Sequence, residues 1–536
     1  MNRERISERE RAGTALVVVL VVIVLLSLGA YTFSELMVTE YRAANTYAKG
    51  VQAEQWAASG VEYVAALMTP DGGGWEMNLF DNAAAFHVQL GESGGFSVVA
   101  PIEDSGYASS NSQATSGGLR LGLIDECSRL NVNVLATFDP EDGPVAREML
   151  VYLPNMTEQM ADSILDWIDS DDEVREYGGE STDYSVVLPR NGAIDSLEEL
   201  LFVNGMTPEL LYGEDANRNG ILDPNENDGA ESAPFDNADG VLDLGWSEYL
   251  TVYSLESNLR HNLDRFGEER INVNESLLTD LYDAIIEETG DIDIAQFICG
   301  VRMTPAPDED SENSDTTQAL NNLASGIATL FAAEGNGSIT RDGLDLSAGS
   351  KREIKSLYEL IDVEVTVTID GKQATLTSPW TSDAGDLQQT LPLLLDTYTT
   401  IDETVVKGRV NINQARREVM LGIPDMPADL PDSIIATRAS RVPSDDPLDI
   451  YRTTGWLLIQ GLTDLETMRK IDGYITTRGE VFRMQVVGHS DQGGPITRIE
   501  AVVDAAETIP RIVFYRNLSQ LGPGYRRGQL PTFAAQ

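Results

Sequence analysis

Residues 14–33 read TALVVVLVVIVLLSLGAYTF, twenty consecutive positions without a charge. At 1.5 Å per residue a helix of that length spans about 30 Å, the thickness of a bilayer core. Ahead of it stand Arg3, Arg5, Arg9 and Arg11, the basic bias that keeps a flank on the cytoplasmic side. The expectation is a single membrane pass with the bulk of the chain translocated.

A cleaved secretory signal would carry a shorter apolar region ending at small residues. Here the run flows without an A-x-A-like break into SELMVTEYRAANTYAKGVQAEQWAASGVEYVAALM. Leu36, Val38, Tyr41, Ala44, Tyr47, Ala48, Val51, Trp56, Val61, Val64 and Leu67 recur there at helical spacing, and no proline comes before Pro70. One helix of about 55 residues is predicted, half in membrane and half amphipathic.

With 536 residues the chain has room for about three or four units. Lys plus Arg is 37 and Asp plus Glu is 87, a formal net charge of −50. Such a polyanion is repelled by phosphate backbones, so nucleic acid is excluded as a partner and divalent cations are favoured. Two cysteines, Cys127 and Cys299, rule out a disulfide framework and a four-cysteine zinc site. His87, His261 and His489 are scattered without an HExxH, which argues against a histidine-built centre.

After the helix, GGWEMNLF, AFHVQL, GFSVVAPIE and GLRLGLIDE read as short strands with glycine-rich turns. Val481–Val486, Thr497–Val502 and Arg511–Tyr515 are strand-like again near the end. The expected fold is α+β: a long N-terminal helix on a small antiparallel sheet, interrupted by a large, mainly helical insertion. Its divisions are 1–13 (leader), 14–33 and 34–68 (the two helix halves), 69–153 (sheet, first part), 154–478 (insertion), 479–518 (closing strands) and 519–536 (tail). Helical hairpins are expected around Gly205, Gly422 and Gly461, resembling helix–hairpin–helix units. In so acidic a chain they are read as packing modules rather than DNA readers. Leu130-Asn131-Val132-Asn133, Ile271-Asn272-Val273-Asn274 and Val410-Asn411-Ile412-Asn413 form a weak internal repeat, the last two expected to cap helices. Residues 304–316, proline-rich and acidic, read as a linker or loop tip.

Asp215-Ala216-Asn217-Arg218-Asn219-Gly220-Ile221-Leu222-Asp223-Pro224-Asn225-Glu226 fits D-x-[DN]-x-[DN]-G-x5-E without a mismatch. Asp215, Asn217 and Asn219 supply oxygens at positions 1, 3 and 5, and Ile221 offers its carbonyl. Asp223 acts directly or through water, and Glu226 closes the site. Hard oxygen ligands in a flexible loop suit calcium, whereas Asp, Asn and Gly also make ordinary turns. No long helix follows Glu226, so the loop would staple structure and not open a regulatory hand. Asp236, Asp239 and Asp243 repeat the central spacing, but Phe235 and Trp246 occupy the end positions. A second ion there would need a distant carboxylate such as Asp169 or Asp171. Residues 207–250 hold eleven acidic side chains and one basic one, Arg218, so cation binding and folding are expected to be coupled.

The charged leader ending in Gly13, followed by Thr14-Ala15-Leu16, resembles the type IV prepilin class. That resemblance implies cleavage by a prepilin peptidase between Gly13 and Thr14, with methylation of the new N-terminus. The class usually has glutamate at the fifth mature position, where this chain has Val18. A subunit lacking it needs no partner above it, which points to a filament tip. Together with DSILDWIDSDDE, DSLEELLFVNGMTPELLYG, GWSEYLTVYS and FRMQVVGH…RIEAVVD, the chain resembles the K-type minor pseudopilins of type II secretion. The likeness covers most of the chain and is weakest over about 300–350. It implies a pilin-like domain with a calcium-binding helical insertion, anchored in the inner membrane with its bulk in the periplasm. It also implies a place at the pseudopilus tip beside I- and J-type minor pseudopilins.

Two rival functions share parts of this pattern. Gly91-Glu92-Ser93-Gly94-Gly95 matches the G-x-S-x-G of hydrolases, but strand-like segments flank it on both sides and no partner histidine is indicated. A hairpin turn is the better reading, and no enzymatic role is expected. A minor pilin or tip adhesin of a type IV pilus would share the anchor and sheet domain but has no need of the acidic helical insertion.

Overall fold

The computed structural model describes residues 3–102, 118–138, 144–185, 187–261, 266–305, 339–441 and 449–533 of the chain. The stretch expected as a linker, 304–316, falls outside them after its first two residues. Helix α1 runs unbroken over Arg3–Leu67, 65 residues. It begins inside the charged leader, so Gly13 and Thr14 lie within it. From Leu16 to Val38 its apolar side chains are exposed, and the helix is long and apolar enough to cross a membrane. Further along, Ala57, Val61, Val64 and Met68 are buried at spacings of four, three and four, the stripe by which a helix covers a sheet.

That sheet is antiparallel and seven-stranded. Its strands are β1 (His87–Gly91), β2 (Gly94–Pro101), β3 (Leu119–Leu121), β4 (Ile124–Asp125), β5 (Val481–Ser490), β6 (Thr497–Asp504) and β7 (Arg511–Asn517). The order is β1-β2-β5-β6-β7, with β3 on β2 and β4 on β5. The G-x-S-x-G segment is the β1–β2 hairpin turn, Gly91 facing Gly94. GGWEMNLF is no strand. It forms tight turns at Pro70–Gly72 and Gly74–Glu76, because Pro70 fixes φ and the Trp75 indole donates back to the Met68 carbonyl at 3.1 Å. AFHVQL is half helix, capped by Asn82, and half strand. Helix and sheet meet over glycines: a Cβ on Gly488 would stand 1.9 Å from the Ala53 carbonyl oxygen, and one on Gly60 would stand 2.5 Å from Val486.

Two apolar cores divide the rest. One joins α1 to the sheet and takes in Tyr525 and Leu530, so the expected tail packs on the sheet. The other runs from Leu130 to Ile475. Residues 130–138 and 144–153, expected with the sheet, belong to this second core, where Leu130, Met149 and Leu150 cluster with Trp246 and Leu250.

The weak repeat becomes a structural one. Leu130–Asn131 pairs in parallel with Leu250–Thr251, Ile271–Asn272 with Tyr398–Thr399, and Val410–Asn411 with Ile475–Thr476. In each phrase the first asparagine accepts from the backbone N–H two residues on, at 3.1, 2.9 and 2.9 Å. The second asparagine donates to a distant carbonyl: Asn133 to Ile194, Asn274 to Ile354, Asn413 to Tyr451. Only Asn131 caps a helix at once. Asn272 and Asn411 instead order turns several residues ahead of their helices at Leu278 and Arg417. The insertion is thus three successive units, each opened and closed by a two-residue parallel pair. It is less purely helical than expected, since the middle unit adds a four-stranded sheet built on the Glu364–Ile369 and Lys372–Thr377 hairpin. The hairpin glycines Gly205 and Gly461 take positive φ, 86° and 67°. Cys127 and Cys299 are free and buried.

The chain enters the insertion at Asp125 and returns at Gly479–Glu480, side by side. Asp125 accepts from Asn411, Gly479 N–H and Cys127 N–H at 2.7, 2.7 and 2.8 Å. Glu480 accepts from the Ser257 hydroxyl at 2.8 Å. Burial pushes Asp125 up from 3.8 to about 6 and Glu480 from 4.5 to about 7. A carboxyl whose folded pKa is raised favours folding most below its unfolded value, and that contribution is lost as pH climbs through the folded one. The protein should therefore lose stability from about pH 4 through about pH 6 on account of Asp125. Asp125→Asn should flatten that part of a denaturant-unfolding profile. An unchanged slope in the variant would show that Asp125 is not the titrating group.

Candidate functional site

The calcium-type loop starts where the short helix Pro208–Tyr212 ends at Gly213, and it lies against the sheet. The guanidinium of Arg498 on β6 donates to the Asn217 carbonyl at 2.7 Å, and the Gln485 amide on β5 donates to the Arg218 carbonyl at 2.6 Å. A Cβ on Gly220 would meet Pro101 of β2 at 2.7 Å. The Asn219 amide reaches the Gly524 carbonyl of the C-terminal segment. The loop is therefore a contact between insertion and sheet, a position that spacing alone did not reveal.

Inside the loop, Asp215 accepts from the N–H groups of Asn219 and Gly220 at 3.1 and 2.7 Å. Glu226 reaches back to Ala216 N–H and Asp223 N–H at 3.0 and 2.9 Å. The Asn219 side-chain oxygen Oδ1 accepts from Ile221 N–H at 2.7 Å, and the Asn217 side-chain amide donates to Asp223 at 2.8 Å. Gly220 and Arg218 adopt φ of 69° and 57°, the left-handed backbone of a sharp turn. The structure thus gathers Asp215, Asn217, Asn219, Asp223 and Glu226 and folds Ile221 in with them.

Those residues fit a hard cation. Asp215 is 8 % exposed and Glu226 is 1 % exposed, and neither has a basic partner among the described residues. Burial raises Asp215 to about 6 and Glu226 to about 7. The side-chain oxygen of Asn217 is buried without a hydrogen-bond partner. A bound cation would supply the charge that these oxygens lack.

The second stretch folds in the same pattern with different ends. Asn237 donates to Asp243 at 3.0 Å, as Asn217 does to Asp223. Asp239 accepts from Val241 N–H at 2.8 Å, as Asn219 does from Ile221. Ala238 and Gly240 have φ of 53° and 84°, matching Arg218 and Gly220. The end positions held by Phe235 and Trp246 are filled from elsewhere. Glu214 accepts from Asn237 N–H and Asp243 N–H at 3.2 and 3.1 Å, the part Glu226 plays in the first loop. Asn227 accepts from Gly240 N–H at 3.0 Å, in place of a first-position aspartate. Asp239 and Asp243 stay in the expected set, whereas Asp236 turns away to the N–H groups of Asp228 and Gly229. Asp169 is instead bonded to Arg175, and Asp171 accepts from Glu173 N–H. Glu214 was missed because its hydrogen bonds cross 23 and 29 residues; its one sequence signal is the unexplained acid beside Asp215.

Residues 128–212 match the family model described as type II secretion system protein K. Among solved structures, a chain in the crystal structure of the GspK–GspI–GspJ complex from the enterotoxigenic Escherichia coli type 2 secretion system is 9 % identical. The alignment covers 89 % of this chain and 99 % of that one, with a TM-score of 0.35. No curated protein matches the chain.

Proposed function

We propose, from the match of residues 128–212 to the family model described as type II secretion system protein K, that this chain is a minor pseudopilin of that family, seated at the tip of a pseudopilus. Helix α1 anchors it in the inner membrane with its N-terminus in the cytoplasm, and prepilin peptidase cuts between Gly13 and Thr14. I- and J-type minor pseudopilins are its partners. Its role is structural: it starts or caps assembly and has no reaction to catalyse. Calcium ions in the loops at Asp215–Glu226 and at Asn237–Asp243, the latter closed by Glu214, hold the insertion against the sheet.

The observation that carries this reading is the protein K match on a segment of an insertion hung from a helix-covered sheet behind an apolar helix. The bulk matters because a rigid mass on one side of the sheet blocks the addition of another subunit above it, and Val18 removes the carboxylate that such a subunit would pair with. Deleting the gene should abolish export of folded exoproteins, and the full chain should restore it and co-purify with I- and J-type subunits. Intact export with lost surface adhesion would instead favour the type IV pilus alternative.

A further inference from the structure

Two of the chain's three histidines meet on the face of the sheet turned away from α1. Gly488 of β5 lies against that helix, so His489, one residue on, points to the opposite side. Over this face the segment after β7 crosses back as a strap. Tyr525 donates to Gln485 at 2.7 Å, and Arg527 donates to the Gly494 carbonyl at 2.7 Å. Leu530 and Phe533 of the strap are buried. The Phe533 ring lies against both imidazoles, its centroid 4.2 Å from that of His87 and 4.6 Å from that of His489.

One line of hydrogen bonds joins these parts. The Thr532 carbonyl of the strap is 3.2 Å from His87 Nε2. A carbonyl only accepts, so Nε2 carries the hydrogen and Nδ1 of the neutral ring is bare. Nδ1 then accepts from the Ser97 hydroxyl of β2 at 2.9 Å, and the Ser97 oxygen accepts from His489 Nε2 at 3.1 Å. The line is complete while His87 is neutral. A proton on its Nδ1 would face the hydroxyl hydrogen of Ser97, which is fully buried. A charge on either ring would also sit beside the other ring and Phe533. Burial pushes His489 down from 6.5 to about 4, with His87 and Arg527 adding to the effect. Burial also lowers His87, outweighing the Thr532 carbonyl and the charge of Asp491.

We propose that His87, Ser97 and His489 form an acid-released latch, which holds the strap on the sheet near neutral pH and frees it as the rings are protonated. A ring depressed in the closed state takes up its proton more readily once the strap is open. Opening therefore grows easier as pH falls below about 6.5, and the gain levels off below about 4. For His489 alone the opening constant should be about thirtyfold higher at about pH 5 than at about pH 7.5, and His87 adds to it. The latch needs neither the cation sites nor the proposed function.

The test places a reporter thiol under the strap of the full-length chain as Leu530→Cys, the two native cysteines being buried. Its rate with a disulfide reagent active in acid is divided into the rate in denaturant at the same pH. That protection should fall about thirtyfold or more between about pH 7.5 and about pH 5. It should stay level when His87→Gln and His489→Gln are added, since an amide donates and accepts without titrating. Protection that does not fall, or that falls equally with the glutamines, overturns the latch. Should any of these variants leave the strap open at neutral pH, histidine-ring NMR of the wild type decides. The His87 and His489 signals should lose the ring-current shift of Phe533 over the same pH range in which they titrate. A shift that survives their protonation overturns the latch.

Discussion

Chelation of divalent cations should lower the unfolding midpoint of this chain more than any single surface substitution. An ion at a hundredfold over its dissociation constant stabilises a fold by about 2.7 kcal/mol, so two occupied loops together are worth about 5 kcal/mol. The loss should be larger than a local turn would suggest, because the first loop is also the seat of the insertion. Its carbonyls at Asn217 and Arg218 receive Arg498 and Gln485 from the sheet. Asp215→Ala should remove the calcium response of the first loop and loosen that docking. Glu214→Ala should remove the response of the second, since Glu214 accepts from the backbone N–H groups of both Asn237 and Asp243. Thermal unfolding with and without calcium reads both effects. A chelated wild type that melts at the same temperature as the loaded one would make both loops ordinary turns.

Gly488→Val is expected to be the most damaging point substitution in the sheet. Its Cβ would stand 1.9 Å from a backbone oxygen of α1, with the Ala53 carbonyl carbon and Ala57 nitrogen close behind. Side chains can rotate away from an intruder, but a helix backbone cannot, so α1 would have to lift from β5. Overpacking usually costs 1–3 kcal/mol when side chains can give, and about 3 kcal/mol or more is expected here. Gly473→Ala is the control: nothing lies within 4 Å of its Cβ position, and it should stay within about 0.5 kcal/mol of the wild type. Denaturant midpoints measure both. Equal midpoints would mean that the helix does not rest on β5 as described.

Features that repeat at a short period were legible in the chain. The apolar run and the helical spacing that ends in Trp56, Val61, Val64 and Leu67 pointed to α1, alternation pointed to β5 and β6, and the D-x-N-x-N-G spacing pointed to the first loop. What spacing could not carry was partnership at a distance. Glu214 completes a loop that begins about 23 residues later, and His87 and His489 share Ser97 only because the sheet sets their strands on either side of β2. The segment at Trp75 failed for another reason, since its backbone winds into tight turns tied to the end of α1 by the Trp75 indole and makes no strand ladder. The N-x-N phrases were visible as words, but their meaning depends on Thr251, Thr399 and Thr476, each more than 60 residues downstream of its partner.

Asp125 and Glu480 stand on neighbouring crossings, and β4 pairs with β5 at Phe482 and Arg483. A subunit at the end of a growing fibre is pushed from below through its own helix. In the proposed tip position, a thrust in α1 would pass into β5 across the glycine contact, and from β5 it would leave the sheet through two chain crossings that run alongside each other. Bonds arranged in this way are loaded together in shear and do not peel one at a time. The insertion can therefore act as a stiff piston head, transmitting an axial stroke to whatever it meets without folding back on its neck.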